Sequence, residues 1–289
     1  LDQGRKALAT TYSGTKLFEQ VYSLSVKTMK HLLRDQKTRI AALKLGDQLI
    51  MTLRNEATVR TELASQFFYQ AADLNTTLGR HSETMKIYRE IGERFGMNDS
   101  LRGTMAQWYK SRDRRNEARK IYGEFEDQLA GLKNLAAMSL EEKKVAAAIT
   151  IYRKLIKIDG NSSVEYLLNI ASCYESQPDW EKAIACYREI IEIDKDNSLK
   201  YLLTIAGCYK TQSEWEKAIA CYREIIEIDG DNSGEYLWSI AGCHETQSDW
   251  KKAIACYRQI DRFPANYFAM ANCHRKIEEH REAITLYNQ

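Results

Sequence analysis

The sequence predicts an all-α array of repeated helix–turn–helix units, and three observations carry that prediction. Seven tyrosines, Tyr88, Tyr122, Tyr152, Tyr187, Tyr222, Tyr257 and Tyr287, follow one another at steps of 34, 30, 35, 35, 35 and 30 residues. Each stands four residues after a small residue, in turn Thr84, Ala118, Ala148, Ala183, Ala218, Ala253 and Ala283. A spacing of four stacks both side chains on one helix face. No stretch alternates apolar and polar residues as a half-buried strand would. A period near 34 means one supersecondary unit copied many times, each burying its apolar face only against its neighbours.

The unit is clearest in Tyr201–Gly230. Leu202, Ile205, Ala206 and Tyr209 give a first helix its apolar face. Gln212, Ser213 and Glu214 form a short polar break. Trp215, Ala218, Ile219, Tyr222, Ile225 and Ile226 give a second apolar face. Gly230 stops that helix, because glycine tolerates the left-handed conformation at helix ends. Asn232 or Ser233 is placed to cap the next helix. The same register predicts first helices near Glu165–Ser176, Lys200–Thr211 and Glu235–Thr246. Second helices are expected near Trp180–Ile193, Trp215–Ile228 and Trp250–Ile260. The buried positions of the array are expected to be Tyr88, Tyr122, Tyr152, Tyr187, Tyr222, Tyr257 and Tyr287, with Ala183, Ala218, Ala253 and Ala283 where helices touch.

This unit resembles the tetratricopeptide repeat family. The family's small residue and following aromatic on the first helix correspond to Ala171 and Tyr174, Ala206 and Tyr209, then Ala241 and His244, and Ala271 and His274. Trp180, Trp215 and Trp250 open the second helices. Lys195 and Gly230 stand where the family usually has proline. The resemblance is strong from about Val164 to Gln289 and degraded from about Ser65 to Asp159. Before Ser65 it fades, although Leu17–Leu33 and Lys37–Leu53 still read as an amphipathic pair. Three segments follow: divergent N-terminal helices at 1–64, degenerate repeats at 65–159 and well-matched repeats at 160–289. The resemblance implies a right-handed α-solenoid of about seven helix pairs, with first helices lining a concave groove.

Composition narrows the function classes. Among 289 residues there are two prolines, Pro178 in an intra-repeat turn and Pro264 at a helix start. No run approaches the roughly eighteen apolar residues of a membrane span, and no signal peptide is visible. Gly131 and Gly160 flank the expected joint in the stack. The chain begins at Leu1 and ends at Gln289 before its last apolar stripe is complete. We therefore expect a fragment of a longer protein, a covered last face, or end-to-end self-association through an uncapped C-terminal repeat.

Net charge is only +2, but Arg34–Arg39 and Lys110–Lys120 are basic while the near-identical repeats are acidic. Mixed charge of this kind marks a solvated face. The Lys110–Lys120 stretch has no regular aromatic interleaving to stack bases, so nucleic-acid binding through the N-terminal third stands only as an alternative.

No catalytic residue and no cofactor is expected. There is no phosphate loop, dinucleotide glycine pattern or nucleophile elbow. The seven cysteines, Cys173, Cys186, Cys208, Cys221, Cys243, Cys256 and Cys273, occupy two repeat positions and lack the tight spacings of zinc sites. They read as small apolar core residues kept reduced, without metal, in a cytoplasmic setting. His244 and His274 replace tyrosine at a core position and read as packing residues with their polar atoms satisfied.

The functional expectation is a non-enzymatic protein-interaction scaffold. One first-helix position reads Tyr69, Gly103, Lys133, Leu168, Leu203, Trp238 and Phe268 through successive units, and turns apolar from Leu168 onward. Four residues later stand Ser172, Gly207, Gly242 and Asn272; then come Glu175, Lys210, Glu245 and Arg275. The groove is therefore expected at Leu168, Leu203, Lys210, Trp238, Glu245, Phe268, Asn272 and Arg275, receiving a peptide or helix of a protein partner. Some members of the family clamp a terminal carboxylate with lysines and asparagines. Leu168 and Ser172 stand where that clamp needs Lys and Asn, so this ligand is not expected. The array is alternatively the sensor or docking arm of a larger signalling or defence protein.

Overall fold

Each unit must reverse the chain between two helices within a few residues, and the same backbone device does so throughout. In the computed structural model, which describes residues 15–60, 63–230, 233–260 and 264–288, a residue with positive φ follows the first helix of every pair from Leu78 onward. Gly79 has φ 76°, and Asp113, Lys143, Ser213, Ser248 and Glu278 lie between 56° and 64°. The N–H after each of these turns donates to a carbonyl five residues back. Examples are Arg80 N to Asn75 O at 2.8 Å, Glu214 N to Tyr209 O at 2.9 Å and Asp249 N to His244 O at 2.8 Å. This is a Schellman closure, which satisfies carbonyls a helix end leaves open. Only Gly79 is the glycine such a turn prefers.

Contacts divide the chain after Gly131. The first unit holds α1 (Thr15–Leu32), α2 (Arg39–Val59), α3 (Ala64–Thr77), α4 (His81–Phe95), α5 (Asp99–Lys110) and α6 (Arg115–Gly123). Helix α7 (Gln128–Glu141) crosses the division. The second unit continues with α8 (Val145–Ile158), α9 (Ser163–Glu175), α10 (Trp180–Ile193), α11 (Ser198–Thr211), α12 (Trp215–Ile228), α13 (Ser233–Thr246), α14 (Trp250–Tyr257), α15 (Pro264–Lys276) and α16 (His280–Tyr287). Short 3-10 turns at Gly160–Ser162 and Lys195–Asn197 lead into α9 and α11. No strand occurs among the described residues. The protein is an all-α solenoid of helix–turn–helix units.

Helices α10 and α12 have the bounds expected from the sequence. The first helices α9, α11 and α13 each begin two residues before the expected start, because a serine opens them. Helix α14 ends three residues early, at Tyr257 rather than Ile260. After Tyr257 the backbone tightens into i→i+3 bonds, Gln259 N to Cys256 O at 3.1 Å and Ile260 N to Tyr257 O at 3.3 Å. Residues 231 and 232 lie outside the described residues, and with them the expected Asn232 cap. Elsewhere Asp179 and Asp249 cap α10 and α14 by accepting from Lys182 N and Lys252 N, and Asn98 caps α5.

The copied small residues are where helices meet. Thr84, Ala118, Ala148, Ala183, Ala218 and Ala253 are all fully buried and Ala283 nearly so. Tyr88, Tyr122, Tyr152, Tyr187, Tyr222 and Tyr257 are buried beside them. Tyr287 departs from this series and is 44% exposed. Tyr257 is covered by Met270 and Cys273 of α15, and no described helix stands in that relation to α16. Gly131 is needed for close approach: a Cβ there would lie 2.5 Å from the Tyr122 carbonyl oxygen.

Candidate partner-binding site

Helical geometry sets the site. Residues at i, i+4 and i+7 lie within about one side-chain width on a helix face. Trp238, Gly242 and Glu245 make such a stripe on α13, and Phe268, Asn272 and Arg275 make the equivalent stripe on α15. Trp238 is 40% exposed and Phe268 61%, so neither is consumed by packing between repeats. Leu203, in the same register on α11, is 39% exposed, and Leu168 on α9 is half-buried.

The second helices hold these aromatics in place. The Trp238 ring meets Tyr257 edge to face, with centroids 4.8 Å apart, and Phe268 meets Tyr287 at 5.6 Å. Edge-to-face pairs fix ring orientation beyond simple burial. Each tyrosine hydroxyl then reaches back to the polar end of its own first helix. Tyr257 donates to Glu245 Oε1 at 3.1 Å and Tyr287 to Asn272 Oδ1 at 2.7 Å. Cys273 Sγ lies 3.2 Å from the same Glu245 oxygen. Burial, then the Glu245 carboxylate, push the Cys273 thiol up to about 12. Burial and Glu245 likewise raise Tyr257. Both groups stay protonated at neutral pH and serve as donors that orient Glu245.

Between α13 and α15 the stripes enclose an open cavity of about 770 Å³. Trp238, Tyr257, Trp250 and Phe268 supply its aromatic walls, with Glu245, Asn272, Arg275 and Lys276 at its polar edges. The Gly242 position faces open space: a Cβ there would meet nothing within 4 Å. Lys276 lies over the Trp250 ring at 6.0 Å, the outer limit of a cation–π contact.

Five of the expected groove residues, Trp238, Glu245, Phe268, Asn272 and Arg275, meet around this cavity. Leu168, Leu203 and Lys210 do not line it; they occupy the same stripe on the two preceding first helices. Tyr257, Trp250 and Lys276 line it too, although the sequence placed Tyr257 only in the core. Tyr257 does both: it packs against Met270 and Cys273 of α15 and lines the cavity.

Other candidates resolve differently. His244 and His274 are buried at 3% and 5% exposure. His274 Nδ1 lies 2.6 Å from Glu279 Oε2, but His244 Nδ1 is buried without a hydrogen-bond partner among the described residues. The expectation of a satisfied histidine is therefore corrected for His244: the turn places no acceptor or donor beside that nitrogen. The seven thiols are unpaired, and all but half-buried Cys256 are buried. Burial raises each of them above the ordinary thiol range. In the basic stretch, Arg114 pairs with Glu117, Arg115 with Asp113, and Arg112 stacks on Trp108 at 4.2 Å.

Residues 167–201 and 199–232 match two family models, both described as tetratricopeptide repeat. No curated protein matches this chain in sequence. Among solved structures, one titled as the crystal structure of MamA protein aligns at 18% identity over 55% of this chain and 88% of its own, with a TM-score of 0.39. MamA 41-end from Desulfovibrio magneticus RS-1 aligns at 9% identity, over 56% and 92%, with a TM-score of 0.38. A putative kinesin light chain with nearly identical TPR-like repeats from Podosopora anserina aligns at 12% identity, over 56% and 92%, with a TM-score of 0.36. No helix among the described residues is long and apolar enough to cross a membrane.

Proposed function

Taking residues 167–232 as members of the tetratricopeptide repeat family, we propose that this chain is a non-enzymatic protein-interaction scaffold. It holds a peptide or helix of a protein partner along the stripe Leu168, Leu203, Trp238 and Phe268. The observation that carries this reading is the cavity of α13 and α15, where two large aromatics stay exposed although tyrosines orient both. Holding such rings in water forfeits apolar burial of about 25 cal/mol per Å². Contiguous apolar exposure of this kind marks an interaction surface, and aromatic anchors carry a large share of interface energy.

Gly242 and Gly207 support the same reading. Glycine inside a helix costs about 1 kcal/mol relative to alanine, and neither glycine is required by a close neighbour. Their effect is to keep space beside the apolar stripe. The test uses a partner recovered with the parent protein and then purified. Trp238→Ala should weaken its binding by about 2 kcal/mol or more. Gly242→Leu should block it while leaving the melting temperature unchanged or higher. If both variants bind the purified partner as the parent does, the groove reading is wrong.

A further inference from the structure

A second feature lies on the second helices, away from the aromatic cavity. In three places an arginine of one second helix pairs with a glutamate of the next second helix, forming a rung. Arg54 pairs with Glu90 at 3.3 Å, Arg153 with Glu189 at 2.9 Å and Arg188 with Glu224 at 2.9 Å. Every rung spans 36 residues. The next rung would join Arg223 to position 259, and Gln259 stands there. Arg223 makes no ion pair or hydrogen bond among the described residues, and it is exposed. Its neighbourhood repeats that of its predecessor: Arg188 Nη2 lies 3.9 Å from Cys221 Sγ, and Arg223 acts electrostatically on Cys256 in the same sense.

The broken rung lies over a cavity. Arg223, Glu227 and Gln259 rim an open space of about 560 Å³ between α12, α13 and α14, and Ile226, Leu237, Ile240 and Cys256 form its floor. Glu227 does not replace the lost carboxylate. It follows Arg223 by four residues on the same helix, the less favourable order for a helical ion pair, and no such pair forms. A guanidinium with five fixed donors is shaped for a carboxylate. Where Glu189 and Glu224 fill that role for Arg153 and Arg188, Gln259 leaves it open for Arg223 above an aliphatic floor.

We propose that Arg223 and this cavity bind a carboxylate carried on a short aliphatic chain, with the carboxylate on the guanidinium and the chain on Ile226, Leu237 and Ile240. Such a group is presented either by a free aliphatic acid or by a glutamate flanked by isoleucine on a partner protein. The site is independent of the aromatic groove, so loss of one leaves the other intact.

The test is NMR titration of the labelled protein with four probes: hexanoate, hexanol, hexylamine and the peptide acetyl-Ile-Glu-Ile-amide. Hexanoate or the peptide should shift the Arg223 side-chain resonances and the Ile226 and Ile240 methyls. Hexanol and hexylamine should bind at least tenfold more weakly. Binding by the peptide alone assigns the carboxylate to a partner protein, and binding by hexanoate alone assigns it to a free acid. Gln259→Glu completes the ladder from within; it should raise the melting temperature and weaken the probe at least tenfold. Arg223→Gln should weaken it as much without restoring the rung. The proposal is overturned if no acid probe binds, if hexanol matches hexanoate, or if Gln259→Glu melts lower than the parent or binds hexanoate and the peptide as well as the parent does.

Discussion

Replacing the left-handed turn residues by glycine should stabilise the protein, and the expected size follows from the backbone. Ser213 and Ser248 hold φ values of 59° and 60°. A left-handed conformation costs a non-glycine residue about 1–2 kcal/mol. Glycine removes that cost but gains freedom in the unfolded chain, which returns about 0.4–1 kcal/mol. The net gain is about 0.5–1 kcal/mol per turn. The two turns lie one repeat apart with no shared partner, so the gains should add. Ser213→Gly with Ser248→Gly should therefore add about 1–2 kcal/mol. For a unit of this size that is a rise of about 2–8 °C in melting temperature. Pro178 occupies the same turn position with φ 29°. Its ring favours φ near −65° and it has no N–H, so its turn lacks the bond that Ser213 N makes to Lys210 O at 3.0 Å. Pro178→Gly supplies the N–H and the allowed φ, but it also frees the unfolded chain more than either serine variant does, which opposes the gain. The assay is thermal melting followed by far-ultraviolet circular dichroism. Ala185→Gly, at an exposed site inside α10, provides the opposite sign, since glycine there costs about 1 kcal/mol. A double serine variant that melts at or below the parent refutes the reasoning.

Other outcomes are expected from the same packing. Ala218 is fully buried where helices meet, so Ala218→Trp should cost on the order of 1–3 kcal/mol or more by overpacking, and a melting curve equal to the parent's would contradict the contact. Burial lowers the His244 pKa below the ordinary histidine value; Asp249 and Glu216 oppose that shift, and Lys252 and Arg223 add to it. The unfolded chain then binds the proton more readily, so stability is full above about pH 6.5 and falls as pH drops below it. His244→Tyr, the residue of the sister repeats, should flatten that slope between pH 7.5 and 5.5; an unchanged slope would show that another group is responsible. Thiol labelling of the native protein should reach Cys256 before the six buried cysteines, and simultaneous labelling of all seven would show that the described packing does not hold.

What could be read from the sequence was whatever depends on one helix at a time. The Ala–Tyr register places α10 and α12 to the residue, because a tryptophan opens each and an aspartate follows each. The stripe Trp238, Gly242, Glu245 was legible for the same reason. Relations between helices were not. Nothing local marks Glu189 and Glu224 as paired, since their arginines lie 36 residues away in the preceding repeat. Ser213 and Glu278 gave no sign of a left-handed turn, for nothing local distinguishes them from ordinary polar residues. The orphaned nitrogen of His244 was hidden too, because it depends on what neighbouring elements fail to offer.

The pattern of variation between repeats separates the residues that packing needs from those it does not. Ala183, Ala218 and Ala253 are identical and buried, as are Tyr187, Tyr222 and Tyr257. A helix contact leaves no room for another residue, so copying preserved these. The stripe changes instead, from Leu168 and Leu203 to Trp238 and Phe268, and its edge alternates Glu175, Lys210, Glu245, Arg275. Packing tolerates those changes because the positions are partly open. The ladder shows the same freedom at Gln259, where loss of one surface ion pair costs at most about 1 kcal/mol. A stack of near-identical units can thus differ from repeat to repeat only where its fold does not depend on the residue. On the proposed function, those are the positions at which a partner is told apart, and Trp238 and Phe268 of one cavity and Gln259 of the other stand at them.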